Sequence, residues 1–325
     1  MPRQISGFTP SGTLQLGNYL GAIRPAIDAQ YKTESSIFVS DLHALTIEHE
    51  PARLRAQTVE VATLLLAAGL DPAHCTLFVQ SQVPEHLELH YLLECATGYG
   101  EARRMIQFKE KAARQDQVRL SLLTYPVLMA ADVLAHDIDE VPVGDDQSQH
   151  LELARDVATR FNSRYGETFV VPGAVHPQTA ARVMDLSDPT AKMSKTNPND
   201  AGVLRLLDPP EVLRRKVTRA VTDAGREVNY APERQPGVSN LLEILAACAG
   251  GSPAALAGQF SSYGELKAAV ADSVVAVLGP LQERYREFAA RPGVVREAIR
   301  EGSVRARERA AATVVRARTA LGLLA

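Results

Sequence analysis

Residues 36–98 read SIFVSDLHAL (36–45), PARLRAQTVEVATLLLAAGL (51–70), CTLFVQSQV (75–83) and PEHLELHYLLECATG (84–98). The first and third are short apolar runs ending in polar residues, the pattern of buried strands. The second has helical periodicity, starts with Pro51 at a first-turn position and stops at Gly69. The fourth is a second helix. Strand, helix, strand, helix in this order predicts an α/β fold with a parallel sheet and helices on its faces.

Working outward, ISGF closes an earlier strand, and GNYLGAIRPAIDAQ is the helix after it. Between them, SGFTPSGTLQLGNYLGA (6–22) concentrates glycine, proline and hydroxylated residues. Gly12 and Gly17 let a ligand approach the backbone, and Asn18 lies in the first helical turn, a natural anion site. A plain turn accounts equally well for this segment alone. From about Pro209 onward strand candidates vanish and helical patterns take over, just after the loop MSKTNPNDAG (193–202).

With 325 residues the length prior is two domains, and 46% hydrophobic with 22% charged residues is an ordinary globular composition. The net charge is −3, unevenly spread: from Leu281 to the end ten arginines face five glutamates, a local +5, so the first 280 residues carry −8. An anionic partner near the C-terminal segment is one reading, and a solvated helix face the other. Cys75, Cys95 and Cys248 form no C-x-x-C pair, which argues against zinc or a disulfide framework and for a reducing cytosol. MPRQISG has no apolar core of a signal peptide, and the runs ATLLLAAGL and VVAVLGPL are too short to span a bilayer. A soluble cytoplasmic protein is expected.

Three further segments can carry chemistry. In KMSKT (192–196), Lys192 and Lys195 can reach one polyphosphate, with Ser194 and Thr196 adding hydroxyls. VPVGDDQSQHLELARDVATRFN (141–162) brings acceptors to the carboxyl end of a strand, where parallel sheets bind ligands. Asp145 and Asp146 there suit ribose hydroxyls, a metal or a helix cap. LLTYPVLMAADVL (122–134) sets Tyr125, Met129 and Asp132 on one helix face, and the aspartate is either paired internally or awaiting a ligand donor. HLELH (86–90) has two histidines at i, i+4 but no glutamate after the first and no evident third ligand, so a partly buried helix face is expected and no protein-held metal.

Taken together, these segments resemble the class I aminoacyl-tRNA synthetases, and their bacterial tryptophanyl branch in particular. PSGTLQLGNY stands at the HIGH-type motif, with Gly17-Asn18 where Gly-His is usual. KMSKT stands at the KMSKS loop, and VPVGDDQ at the GxDQ segment. QFKEKAARQ (107–115), TYPVLMAAD (124–132), LLDPPEVLRRKVTRAVTDAG (206–225) and GVSNLL (237–242) extend the resemblance nearly end to end.

The resemblance implies a Rossmann-type catalytic domain with a dimer-interface insertion over 1–204 and a helical anticodon-binding domain with a C-terminal helix over 205–325. It implies that Thr9, Pro10, Ser11, Gly17 and Asn18 line ATP, with Gly144, Asp145 and Asp146 on its ribose and Val183 and Met193 on its adenine. Lys192, Met193, Ser194, Lys195 and Thr196 would close on the phosphates, with Lys192, Lys195 and Asn18 as the catalytic set. Asp132 would accept the indole N–H of L-tryptophan, and Tyr125 and Gln147 would hold its α-amino group. Met129, His43, Val141 and Val143 would wall the ring. Mg2+ arriving with ATP, tRNA(Trp) as second substrate, a homodimer and no membrane complete the expectation.

Overall fold

In the computed structural model of the chain, residues 1–112, 117–144, 148–175, 183–195 and 200–324 are described. Five strands, β1 (Arg3–Phe8), β2 (Glu34–Val39), β3 (Cys75–Val79), β4 (Glu140–Pro142) and β5 (Gly173–Val175), form one sheet in the order β3-β2-β1-β4-β5. Every neighbouring pair is parallel. β2 and β3 are nearly all buried because helices cover both faces of the sheet.

The helix Pro51–Ala67 shows how the crossovers are encoded. Pro51 opens it, the Glu50 carboxylate accepts from the N–H groups of Ala52 and Arg53, and Gly69 follows its end at φ +112°. The helix Ser148–Tyr165 links β4 to β5.

The strand order reverses between β1 and β4. The first three strands run one way across the sheet and the last two the other, and a crevice at such a switch point is the ligand position of parallel sheets. The β1–β4 ladder has one register pair, Gln4↔Glu140, so the carboxyl ends Phe8 and Pro142 lie beyond it.

After Val175 no further strand occurs among the described residues, so the strands end well before about Pro209, where the sequence pattern turns helical. The helices Pro210–Thr218 and Pro236–Ala249 pack on the long helix Tyr263–Ala289, which also rests on Pro51–Ala67. One hydrophobic cluster therefore joins Leu64 and Leu65 to Leu241, Val274 and Leu278 across the two halves.

The last helix, Pro292–Ala320, returns to the α/β half and lies on β3 and the helix Glu85–Glu94. Ala306, Ala310 and Val314 join a second cluster around Phe78, Leu89 and Phe161. Several of its arginines have partners within the chain. Arg307 reaches Glu85, Arg309 Glu34, Arg316 Asp137 and Arg318 Glu88, while Arg305 donates to the Pro72 carbonyl. The excess positive charge of the tail answers the acidic charge of the first half. Each such surface pair stabilises by at most about 1 kcal/mol.

Gly302 sets how closely this helix seats: a Cβ there would lie 1.7 Å from the Leu77 carbonyl oxygen. Gly302→Ala is expected to lower unfolding stability by at least about 2 kcal/mol, because backbone cannot yield as a side chain does. Gly279 lies in a helix with no heavy atom within 4 Å of a built Cβ, so Gly279→Ala should leave stability unchanged or raise it. Urea unfolding of both variants checks this. Equal midpoints would show that the helix does not seat on β3.

Candidate active site

Three loops leave the carboxyl ends of β1, β2 and β3, and they share one row of hydrogen bonds. After β1 the chain turns through Thr9, buried Pro10, Ser11 and Gly12, with the Ser11 N–H on the Thr9 carbonyl at 2.9 Å. The Thr9 hydroxyl meets that of Ser40, beyond β2, at 2.9 Å. The Leu42 N–H donates to Gln80 Oε1, beyond β3, at 3.1 Å, and Ser81 donates through its N–H and hydroxyl to Asp41.

The first helical turn is built differently from the sequence expectation. Buried Gln15 caps it: its side chain accepts from the Gly17 N–H, and the Asn18 N–H goes to the Gln15 carbonyl at 2.9 Å. Asn18 Oδ1 returns the cap by accepting from the Gln15 N–H at 3.2 Å, and the Leu16 N–H donates to the Leu204 carbonyl. The N–H groups of Leu16, Gly17 and Asn18 are thus all engaged within the protein: Gln15 accepts two of them and the Leu204 carbonyl the third.

The segment 183–195 closes onto this turn. Gln15 Nε2 donates to the Met193 carbonyl at 2.9 Å, and the Met193 N–H donates to the Val183 carbonyl at 3.1 Å. Val183 and Met193 are both buried, and a Cβ on Gly17 would lie 3.2 Å from Val183 Cβ. Gly12, at φ +71°, lies against the Lys195 backbone, where a Cβ would be 2.9 Å from its carbonyl oxygen. No other residue type fits that turn without strain.

Lys195 places its ammonium 3.3 Å from the Thr9 carbonyl. Burial pushes this ammonium down to about 8, and among the described residues no carboxylate pairs with it; a neutral carbonyl holds it. Lys192 is exposed and pairs through its backbone with Met184, and Ser194 is exposed as well. Thr196 lies outside the described residues. Beyond the loop, buried Lys216 ties Asp200 to Asp208 at 2.9 and 2.8 Å and fixes where it re-enters the helical half.

At the other end of the row sits Asp132, 1% exposed, on the helix Leu120–Leu134. His43 Nε2 lies 2.7 Å from its Oδ2, and Gln80 Nε2 donates to both oxygens at 2.8 and 2.9 Å. His86 Nδ1 is 2.8 Å from Oδ1, and His86 Nε2 is 2.8 Å from His136 Nε2. Burial alone would raise the Asp132 carboxyl, but the imidazoles of His43 and His86 outweigh it and hold the group well below the ordinary carboxylate range. His136 is driven well below the ordinary imidazole value by burial first and then by His86. A neutral His136 can donate from Nε2 to His86, which leaves the His86 Nδ1 proton for the carboxylate.

Of the two readings of Asp132, the internal pairing is therefore met. His43 and Tyr125 stand edge to face at 6.2 Å, and Val141 and Val143 are buried with Met129 half-buried. The Tyr125 hydroxyl donates to Gln107 Oε1 at 3.2 Å and meets His150 Nε2 at 2.9 Å. Gly144 is exposed at the end of β4, while Asp145, Asp146 and Gln147 lie outside the described residues. Sequence reasoning missed Gln15, Gln80 and His136, and read His86 only as part of a partly buried helix face. Gln80 was discoverable, because it is a polar residue at the carboxyl end of a strand.

The family model described as tRNA synthetases class I (W and Y) matches residues 2–279. A curated relative, tryptophan–tRNA ligase 1 of Streptomyces avermitilis, is 59% identical over 329 residues, covering 100% of this chain and 99% of its own length. The solved tryptophanyl-tRNA synthetase of Mycoplasma pneumoniae superposes with a TM-score of 0.93 at 36% identity, over 100% of this chain and 98% of that one. The Campylobacter jejuni tryptophanyl-tRNA synthetase complexed with ADP and tryptophan gives 0.85 at 30% identity, over 99% and 100%.

The buried neutral His136 has a pH signature. Above about pH 6.5 it is neutral in folded and unfolded chains alike; below, the unfolded chain takes up a proton that the folded one refuses. Folding stability should thus fall with pH below about 6.5, by up to about 1.4 kcal/mol per pH unit from this group. His136→Gln, which keeps a donor for His86 but does not titrate, should flatten that slope in urea unfolding between about pH 6.5 and 5. An unchanged slope would place the proton elsewhere.

Proposed function

The chain belongs to the class I tRNA synthetases of the tryptophan and tyrosine group, and from this we infer that it is a tryptophan–tRNA ligase. It joins L-tryptophan to ATP as tryptophanyl-adenylate, releasing pyrophosphate, and then passes the amino acid to tRNA(Trp). The observation that carries the reading is the 3.3 Å contact of Lys195 with the Thr9 carbonyl, which brings the KMSKT segment to the loop after β1. The full-length similarity to tryptophan–tRNA ligases favours tryptophan over tyrosine.

The chemistry needs no covalent catalyst. The amino acid carboxylate is itself the nucleophile, and the site aligns it with the α-phosphate. Charge then builds on the departing pyrophosphate, where Lys195, and Lys192 once the loop turns it inward, stabilise it. Lys195 is prepared for this because the phosphate replaces a neutral carbonyl as its partner. Thr9, Pro10, Ser11 and Gly17 line the nucleotide, Gly144, Asp145 and Asp146 its ribose, and Val183 and Met193 its base. Asn18 acts by holding the turn beneath the phosphates. Mg2+ enters as Mg·ATP, with the phosphates as its ligands; the lysines and neutral groups around Thr9 suit the phosphates rather than the ion.

Asp132 accepts the indole N–H, and a substrate lacking that donor leaves a buried acceptor unpaired, the costliest mismatch a pocket can impose. Tyr125 and Gln147 hold the α-amino end, and Met129, His43, Val141 and Val143 wall the ring. The helical region 205–325 takes the anticodon. Exposed Leu87 and Tyr91 on one face of the helix Glu85–Glu94, with Tyr99, Ile106 and Leu120 nearby in sequence, support a homodimer. No helix among the described residues is long and apolar enough to cross a membrane, and the free thiols of Cys75, Cys95 and Cys248 suit the cytoplasm.

Exchange of labelled pyrophosphate into ATP tests this. Tryptophan alone should drive it, Lys195→Ala should slow it by about 10²–10³-fold at saturating substrates, and Asp132→Ala should raise the KM for tryptophan. Exchange driven by tyrosine instead would overturn the substrate assignment. The depressed Lys195 adds a second expectation: near pH 8.5, pyrophosphate binding takes up a proton that Lys195→Ala does not. Calorimetry in buffers of different ionisation heat reads that proton directly.

A further inference from the structure

We propose that His43 is a resident donor that substrate exchanges: it fills the outer acceptor of Asp132 in the empty site and leaves when the indole N–H arrives. The proposal deepens the tryptophan reading above and rests on it. A carboxylate offers about four acceptor positions. On Asp132, Oδ1 has Gln80 Nε2 at 2.8 Å and His86 Nδ1 at 2.8 Å, and Oδ2 has His43 Nε2 at 2.7 Å and Gln80 Nε2 at 2.9 Å. On Oδ2, the oxygen that His43 reaches, both positions are taken, so an incoming N–H there binds by displacing a donor.

Two of the three cannot move. Gln80 is 0% exposed, spans both carboxylate oxygens and is held from behind by the Leu42 N–H on its Oε1. Its amide orientation is thus fixed at both ends. His86 is 0% exposed, has His136 on its other nitrogen and packs edge-on against Phe38 and Phe78. His43 differs in each respect. It comes from the short helix Asp41–Ala44 in the loop after β2, and its side chain is 14% exposed. Its ring stands edge to face with Tyr125, on the side where the amino acid would enter.

The exchange makes recognition conditional. A ligand with the right shape but no N–H gains nothing from evicting His43, because Asp132 would lose one donor and receive none. Selection therefore compares the substrate N–H with an imidazole N–H already in place, rather than with an empty acceptor. The site also never holds an unpaired buried charge while it waits, which avoids the cost of an orphaned carboxylate.

The test uses the full-length chain labelled with 15N-histidine, with His43→Asn assigning the ring signals. The probes are tryptophan and its benzothienyl analogue, in which sulfur replaces the indole N–H. Saturating tryptophan should remove the hydrogen-bonded shift of the His43 Nε2 proton, and the analogue should leave it in place. Survival of that shift with tryptophan, or its loss with both ligands, would overturn the exchange. Kinetics supply an independent reading: His43→Leu removes the donor but keeps apolar bulk, so the KM for tryptophan should fall about two- to tenfold and that for the analogue should not. An unchanged or raised tryptophan KM contradicts the proposal. Should Asp132→Asn leave the preference for tryptophan over the analogue intact, the acceptor reading itself fails, whatever His43 does.

Discussion

A full negative charge on Asp132, buried to 1% exposure, is the constraint around which the site is arranged. Burying a carboxylate costs several kcal/mol unless hydrogen-bond donors replace its water. The chain supplies them from three places: His43 after β2, Gln80 after β3, and His86 from the following helix. The edge loops of the sheet are thereby pinned where they stand. Polar groups that look incidental in the loops are held in place by one charge.

The same loops carry the nucleotide end. Thr9 and Ser40 join the loops after β1 and β2, Leu42 and Gln80 join those after β2 and β3, and Gln80 closes on Asp132. Lys195 rests on the Thr9 carbonyl at the opposite end of this row. A row of contacts is not by itself evidence of coupling. It does fix two recognition points, one cationic and one anionic, on a common rigid edge, which is what alignment of a carboxylate with a phosphate requires. The helical half reinforces the arrangement: residues 204–206 exchange backbone hydrogen bonds with 14–16, and Lys216 ties Asp200 to Asp208 at the entry to that half.

Much of this was legible in the residues. Strand and helix alternation over 36–98 gave the parallel sheet, because buried strands and capped helices leave local signatures. Asp132 stood out as a charge on an apolar helix face. What the sequence concealed were contacts between distant segments. His86 and His90 share a helix at chelating spacing, yet His86 turns inward to Asp132 and His136 while His90 sits 3.0 Å from Glu94. The partners of the arginine-rich tail, acids more than 200 residues away in the cases of Arg307, Arg309 and Arg318, leave no mark in its local pattern. The reciprocal cap between Gln15 and Asn18 is likewise hidden, because nothing local discloses that Gln15 is buried. Pairings of this kind depend on tertiary placement, and periodicity carries no trace of them.

The central claim is that Asp132 remains a carboxylate inside the protein. Its 13C-carboxyl chemical shift, assigned with Asp132→Asn and followed from pH 7.5 to 4.5, measures that directly. The His43, Gln80 and His86 donors require a carboxylate shift that stays flat across the range. A titration with its midpoint inside that interval would mean that burial wins over the donors, and that the site presents a neutral acid instead of an acceptor.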